Sequence, residues 1–289
     1  MDVKKQSLEW LKSIVYAVVA ATIIRLYVFE TMLVPTPSMV PTIQVGDRLF
    51  VEKITYTTRE PRIGEIVVFW SPFKDERAQA MLRLFDKFMD LFSPRRFKGH
   101  VKYVKRLVGR GGDVLKISKG KDGKYHLYVN GKIPKPLEGI EYIPDGIFRY
   151  PEFLDWLNEA SEIRSDPVKY RNFLLRLSSK YGPRAANLVF SIIGGYEPFS
   201  KRYYPGTPYY EYYRAYLSKL NLKELIKRDE NGDITVKIPK GFYFFMGDNS
   251  PESLDSRFFG FVPEDNVIGM PILRIWPFDR FGPVQPFGG

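Results

Sequence analysis

From Leu8 to Phe29 the chain presents 22 residues in which charge is confined to Glu9, Lys12 and Arg25. As a helix this stretch would rise about 33 Å, enough to cross a hydrocarbon layer of about 30 Å. Lys12 and Arg25 lie near its two ends, where long basic side chains can reach the headgroups. A buried amphipathic helix is disfavoured, because Val15–Ile24 carries no charged face. Ala17, Ala20 and Ala21 are small enough for a cleavable leader, but the chain runs on through Thr22-Ile23-Ile24-Arg25-Leu26 with no polar cleavage region. The stretch therefore reads as a retained single span. Lys4 and Lys5 favour a cytoplasmic N-terminus, which puts the rest of the chain on the opposite side.

The span opens onto Pro35-Thr36-Pro37-Ser38-Met39-Val40-Pro41-Thr42. Each proline fixes its own φ and pushes its predecessor towards extended geometry, so no regular helix forms here. Ser38 and Met39 are expected on a short, stiffened, extended segment. By itself this is either a Pro-rich linker leaving an anchor or a rigid mount for a nucleophile.

Strand patterns follow. Gly46–Lys53 alternates after a Gly-Asp turn, Gly64–Trp70 reads as a largely buried strand, and Val101–Val108 and Val114–Ile117 flank Gly111-Gly112-Asp113. Tyr125–Val129 leads into Asn130-Gly131, a strong hairpin signal. Strands return at Ile234–Ile238, Phe242–Met246 and Val267–Ile275. Two regions break the pattern. Within 74–98, Ala78, Met81, Leu82, Phe85, Phe88, Met89 and Phe92 recur at helical spacing among Arg77, Arg83 and Lys87. That segment is either a helix packed on the β domain or a basic amphipathic helix on a membrane surface. Helical spacing also runs through 151–194, seven tyrosines crowd 203–216, and Leu217–Ile226 suggests a last short helix. The tyrosines read as packing residues.

The expected fold is mainly β: an antiparallel β-sheet domain with one N-terminal transmembrane helix and a helical insertion. Its divisions are 1–29 (cytoplasmic N-terminus and span), 30–145 (first part of the β domain, with 74–98 inserted), 146–232 (helical insertion), 233–276 (second part) and 277–289 (tail).

Absence of cysteine excludes disulfides, thiol nucleophiles and thiolate metal sites, and two histidines make a His-rich metal site improbable. The net charge of +11 asks for an anionic partner. The basic residues are dispersed and form no nucleic-acid module, so anionic phospholipid is the simpler partner and nucleic acid is not expected.

A serine hydroxyl needs a base to attack a carbonyl at neutral pH. His126 alternates inside the predicted hairpin, and His100 sits in a basic turn with no nearby carboxylate. The alternative is a lysine whose pKa falls from about 10.4 to roughly 7 or 8, at a cost of about 4 kcal/mol. Such a lysine must be buried on an apolar strand face. Lys105 is a candidate, since alternation puts it with Val101, Tyr103 and Leu107. A solvated basic strand remains the other reading.

Three stretches in this order after an apolar span resemble a known family. They are Pro35–Thr42, Lys105-Arg106-Leu107-Val108-Gly109-Arg110-Gly111-Gly112-Asp113, and Gly247-Asp248-Asn249 continuing through Ser253-Leu254-Asp255-Ser256-Arg257 to Pro263. The chain is similar to bacterial type I signal peptidase (leader peptidase), a membrane-bound serine–lysine endopeptidase. The likeness covers about 8–72, 100–130 and 233–276.

The resemblance implies that Ser38 is the nucleophile and Lys105 the general base. It implies that Thr36 helps the Ser38 backbone N–H form an oxyanion hole, and that Ser253 hydrogen-bonds and orients the lysine. Asp255 with Arg257, and Asp248 with Arg106, would be supporting ion pairs. Pro37 stands where many members have Gly, Asp or Glu, and Gly109–Asp113 lacks the proline of the common Gly-x-Pro-Gly-Asp. The implied activity is removal of signal peptides from preproteins after small side chains, without metal or cofactor. The implied location is the inner or plasma membrane, single-pass, with the catalytic domain outside the cytoplasm and a secretion translocon as a neighbour. Two other readings stand beside it. One is a self-cleaving repressor-type Ser/Lys protease, although residues 8–29 are too apolar for its DNA-binding helices. The other is a catalytically silent membrane-anchored scaffold.

Overall fold

The computed structural model describes residues 3–82, 84, 87, 92–197, 202–204 and 206–284. The apolar run forms the helix Val3–Tyr27, of which Gln6–Tyr27 is 22 residues long, apolar enough to cross a membrane and uncovered by the rest of the chain. One residue later the chain enters β1 (Phe29–Leu33), which pairs antiparallel with β2 (Arg48–Glu52), Thr31 opposite Phe50. The fourteen residues between them, Val34 to Asp47, include the proline stretch.

The remaining strands are β3 (Ile66–Lys74), β4 (His100–Arg110), β5 (Val114–Lys119), β6 (Tyr125–Val129), β7 (Gly195–Glu197), β8 (Arg202–Tyr204), β9 (Ile226–Arg228), β10 (Ile234–Lys237), β11 (Phe242–Met246), β12 (Val262–Pro263), β13 (Val267–Trp276) and β14 (Gly282–Pro283). Among the described residues, eight strands make the main sheet in the order β1-β2-β13-β3-β4-β11-β12, with β14 added on β13. A second sheet runs β6-β5-β10-β9, and β7 pairs with β8; every pairing is antiparallel. The mainly β expectation holds.

Strand β3 explains how the sheet is buried. Ile66 to Phe73 are all buried, so its sequence is apolar apart from Ser71, whose hydroxyl donates to the Phe73 carbonyl at 2.6 Å, rather than alternating. Val67, Phe69 and Phe73 enter a large hydrophobic cluster, while Ile66 and Val68 enter a smaller one with Val34, Met39, Ile43, Leu49, Val51 and Val104. The smaller cluster lies beneath the proline stretch.

Residues 146–232 hold the helices Phe153–Ile163, Pro167–Tyr181 and Pro183–Ile193. Asp166 caps the second, accepting from the backbone N–H groups of Val168 and Lys169, and Gly182 ends it at φ 89°. Their apolar faces join the same cluster as Phe244 and Phe259 of the β domain. The expected insertion thus shares its core with the sheets, and it contributes β9 to the second one. Of the tyrosines at 203–216, Tyr209 and Tyr212 are buried, the Tyr209 hydroxyl donating to the Phe259 carbonyl at 3.2 Å, while Tyr204 and Tyr216 are exposed.

Other expectations shift. Leu217–Ile226 is broken into the 3-10 turn Leu217–Lys219, the helix Leu222–Leu225 and the start of β9. Asn130 and Gly131 both have positive φ, 51° and 79°, but their turn closes only on a single Val129–Lys132 bridge. Within 74–98, a helix covers Glu76–Ala80 and a 3-10 turn Arg95–Phe97; Arg83, Phe85, Phe88 and Met89 lie outside the described residues. Part of the expected tail is fixed to the domain: β14 pairs with β13, and Arg280 is ion-paired with the buried Asp47.

Candidate active site

The proline stretch is not extended, as its prolines suggested, but folds as a tight turn in which the Val40 N–H donates to the Pro37 carbonyl at 3.0 Å and the Ile43 N–H to the Met39 carbonyl at 2.9 Å. Met39 is completely buried and plugs the turn into the smaller hydrophobic cluster. Burial of Met39 fixes the backbone on which Ser38 is carried. The loop after β11 straps the turn from the other side. Asn249 donates from its backbone to the Ser38 carbonyl and from Nδ2 to the Pro37 carbonyl, both at 3.1 Å. Thr42 Oγ1 donates to Asp248 Oδ2 at 2.5 Å. Gly247 makes the approach possible, because a Cβ there would lie 2.3 Å from the Ser38 carbonyl oxygen and 2.3 Å from Ser253 Oγ.

Lys105 projects from β4 beside Tyr103, whose ring centroid is 5.5 Å from Nζ. Nζ lies 2.6 Å from Ser38 Oγ and donates to the Val104 carbonyl at 3.2 Å. Both side chains are buried, each residue 5% exposed. Loss of water is the main influence on this amine and lowers its pKa to about 8; the fields of Asp255 and Asp248 oppose the shift and that of Arg257 adds to it.

Those two carboxylates do not bond to Lys105 because each is committed to an arginine. Asp255 takes Arg257 Nε at 2.9 Å and Nη2 at 2.8 Å, and also accepts from the Gly247 N–H at 3.0 Å. Arg257 is held further by Ser250 Oγ at 2.6 Å and the Ile143 carbonyl at 3.1 Å. Asp248 takes Arg106 Nε at 2.8 Å and Nη2 at 2.5 Å, with both side chains fully buried. The remaining Arg106 nitrogen, Nη1, donates to the Gly64 carbonyl at 2.7 Å. Satisfied in this way, Asp248 ties the 247–257 loop to Arg106 of β4, Asp255 and Arg257 brace the loop internally, and Lys105 has no ion-pair partner among the described residues.

The structure brings Ser38, Lys105, Asp248, Arg106, Asp255 and Arg257 into one neighbourhood. Ser253 is also buried, but its hydroxyl has no hydrogen-bond partner among the described residues, so the bond to Lys105 implied by the resemblance is not formed here. Thr36 is exposed and lines the same cleft as Ser38 and Lys105. Neither histidine contacts Ser38: His100 Nδ1 meets the Ser71 carbonyl at 2.7 Å, and His126 meets Asp122 on the second sheet at 2.9 Å.

Sequence reasoning missed Thr42, Asn249 and Gly247 as supports of the nucleophile. Their proximity to the polar motifs was visible, but their partners lie up to 212 residues away. Ser38 and Lys105 open onto a cleft of about 730 Å³ whose lining includes Met32, Val34, Tyr103 and Leu254. A hydroxyl in contact with an amine of lowered basicity, at the edge of an apolar cleft, is equipped to attack a carbonyl carbon.

The description "Signal peptidase, peptidase S26" matches residues 7–146 and 200–276. Signal peptidase I of Aquifex aeolicus (strain VF5) is 28% identical over 258 residues, 87% of this chain and 77% of that protein. The probable signal peptidase I-2 of a Synechocystis species is 26% identical over 275 residues, 95% of this chain and 76% of that protein. Signal peptidase I T of Bacillus subtilis (strain 168) is 27% identical over 275 residues, covering 94% of this chain and 87% of its own. Residues 147–199, which carry the three helices, fall outside the family match.

Proposed function

Since the chain belongs to the signal peptidase family S26, we propose that it is a membrane-bound endopeptidase that removes signal peptides from preproteins with a Ser38–Lys105 dyad. The observation that carries this reading is the 2.6 Å contact between a buried hydroxyl and a buried amine whose pKa is lowered to about 8. Proton transfer needs that reach and a base near the working pH.

In the proposed reaction the neutral Lys105 amine accepts the Ser38 proton as Oγ bonds to the scissile carbonyl carbon. The carbonyl π electrons move onto oxygen. The Ser38 N–H, which has no acceptor among the described residues, and the Thr36 hydroxyl receive that oxyanion. Donors of this kind are worth about 3 kcal/mol each when aimed at the developing charge. As the intermediate collapses, the C–N bond breaks and the Lys105 ammonium returns its proton to the departing amine. Water then gives a proton to Lys105 as its oxygen bonds to the ester carbon, and as the C–Oγ bond breaks Lys105 returns that proton to Ser38, releasing the carboxylic acid and restoring the neutral amine. Ser253, beside Gly247, is proposed to turn its free hydroxyl to the amine when substrate excludes water.

Gln6–Tyr27 would place the site at the membrane surface, with Lys4 and Lys5 on the cytoplasmic side. Small residues before the cut, an anionic lipid surface and a neighbouring translocon belong to the same proposal. The test mixes detergent-solubilised protein with a preprotein and sequences the new N-terminus. Wild type is expected to cut at one site, and Lys105→Ala to lose at least about a thousandfold in rate. A Lys105→Ala protein that cuts as fast as wild type overturns the mechanism.

A further inference from the structure

None of the apolar window of the N-terminal helix is buried, and the helix meets β1 at its C-terminal end, where Arg25 and Leu26 are half-buried, so little packing sets its direction relative to the β domain. Between its last residue, Tyr27, and the first of β1, Phe29, there is only Val28. Such a joint would swivel if nothing else crossed it. The last carbonyls of a helix also lack intrahelical donors and carry the negative end of its dipole.

A single side chain meets both needs. Lys53, just beyond β2, donates from Nζ to the carbonyls of Arg25 at 2.8 Å and Leu26 at 3.2 Å. Its backbone N–H donates to the Val28 carbonyl at 2.9 Å. The same ammonium contacts Glu30 Oε2 at 3.0 Å, and the Glu30 side chain is only 4% exposed. Lys102 holds both Glu30 oxygens, at 2.6 and 2.7 Å, and lies over the Trp70 ring at 5.0 Å. Lys102 stands three residues before Lys105 on β4. An unbroken polar chain therefore runs from the helix end through Lys53, Glu30 and Lys102 to the strand that carries the base.

We propose that Lys53, backed by Glu30 and Lys102, is a positioning residue that locks the membrane helix to the β domain and so sets the height and tilt of the cleft above the bilayer. The inference rests on the peptidase reading given above. A bilayer fixes the direction of the helix, and the lock passes that direction to the cleft. A substrate that is itself anchored in the bilayer depends on this alignment, whereas a short free peptide can reach the cleft at any tilt. The lock thus selects for membrane-inserted substrates without touching the scissile bond.

The test compares full-length wild type, Lys53→Met and Lys53→Arg on two substrates. One is a preprotein inserted in vesicles of mixed neutral and anionic phospholipid with the enzyme; the other is a short soluble peptide with the same cleavage sequence. Lys53→Met is expected to cut the inserted preprotein about tenfold more slowly and the peptide within about twofold of wild type, while Lys53→Arg recovers most of the loss. Equal losses on both substrates, or none on either, overturn the lock. Wild type that cuts neither substrate sinks the peptidase reading instead.

A second measurement does not depend on activity. Because the chain has no cysteine, spin labels can be placed at Val18→Cys and Lys121→Cys alone. The distance distribution is expected to be narrow with Lys53 and broad with Lys53→Met. Equal widths overturn the lock.

Discussion

Replacing Lys105 by Met should stabilise the protein at neutral pH while removing its base. The folded-state pKa of Lys105 is about 8 and the ordinary value is 10.5. A lowering of about 2.5 units corresponds to about 3 kcal/mol against folding wherever both states are protonated, which is below about pH 8. Between about pH 8 and 10.5 the unfolded chain holds the extra proton, so wild-type stability rises with pH across that window. Methionine is close in volume and does not ionise, but it forfeits the bond to Ser38, worth about 1 kcal/mol. Lys105→Met is therefore expected to be about 2 kcal/mol more stable than wild type at pH 7, with the advantage falling to about zero at pH 10. Urea unfolding of the detergent-solubilised chain at both pH values, followed by tryptophan fluorescence, measures the difference. A variant less stable than wild type at pH 7, or a gap that does not close by pH 10, would refute the claim that burial lowers this amine.

Three more outcomes follow from the same geometry. Cleavage should rise about tenfold per pH unit below about pH 8 and level off above it, as neutral Lys105 accumulates; a rate already level at pH 6 would exclude this base. Gly247→Ala puts a methyl 2.3 Å from the Ser38 carbonyl oxygen, so the nucleophile turn must move; activity should fall at least about a hundredfold and stability by about 1–3 kcal/mol. Asp248→Asn leaves the fully buried Arg106 charge without its partner and should lower stability by about 3–5 kcal/mol, whereas Arg96→Ala, in an exposed pair with Asp265, should change it by less than about 1 kcal/mol in the same urea assay.

Local pattern alone left Ser38 on either a Pro-rich linker or a nucleophile mount, and Lys105 on either a buried or a solvated strand face; it was the resemblance carried by the three ordered motifs that linked them. Their 67-residue separation in sequence closes to 2.6 Å in space. What could not be read was the pairing across the fold. Thr42 and Asp248 are 206 residues apart, and neither has a local signature of the other. Lys53 looks like any polar residue after a strand; its role depends on two helix carbonyls whose lack of donors is a backbone property. The 146–232 region was separable by its change of period, but period does not say which core an apolar face enters. The Ser253 bond to Lys105 implied by the resemblance is absent among the described residues.

The most direct measurement is to capture the ester. The detergent-solubilised chain is incubated with a serine-directed acylating probe at pH 8 and mapped by peptide mass spectrometry. The probe is expected on Ser38 in wild type, absent from Ser38→Ala and strongly reduced in Lys105→Ala, with preprotein cleavage lost in step. Cleavage that survives Ser38→Ala, or a label that settles on another residue while Ser38 stays free, would contradict the dyad.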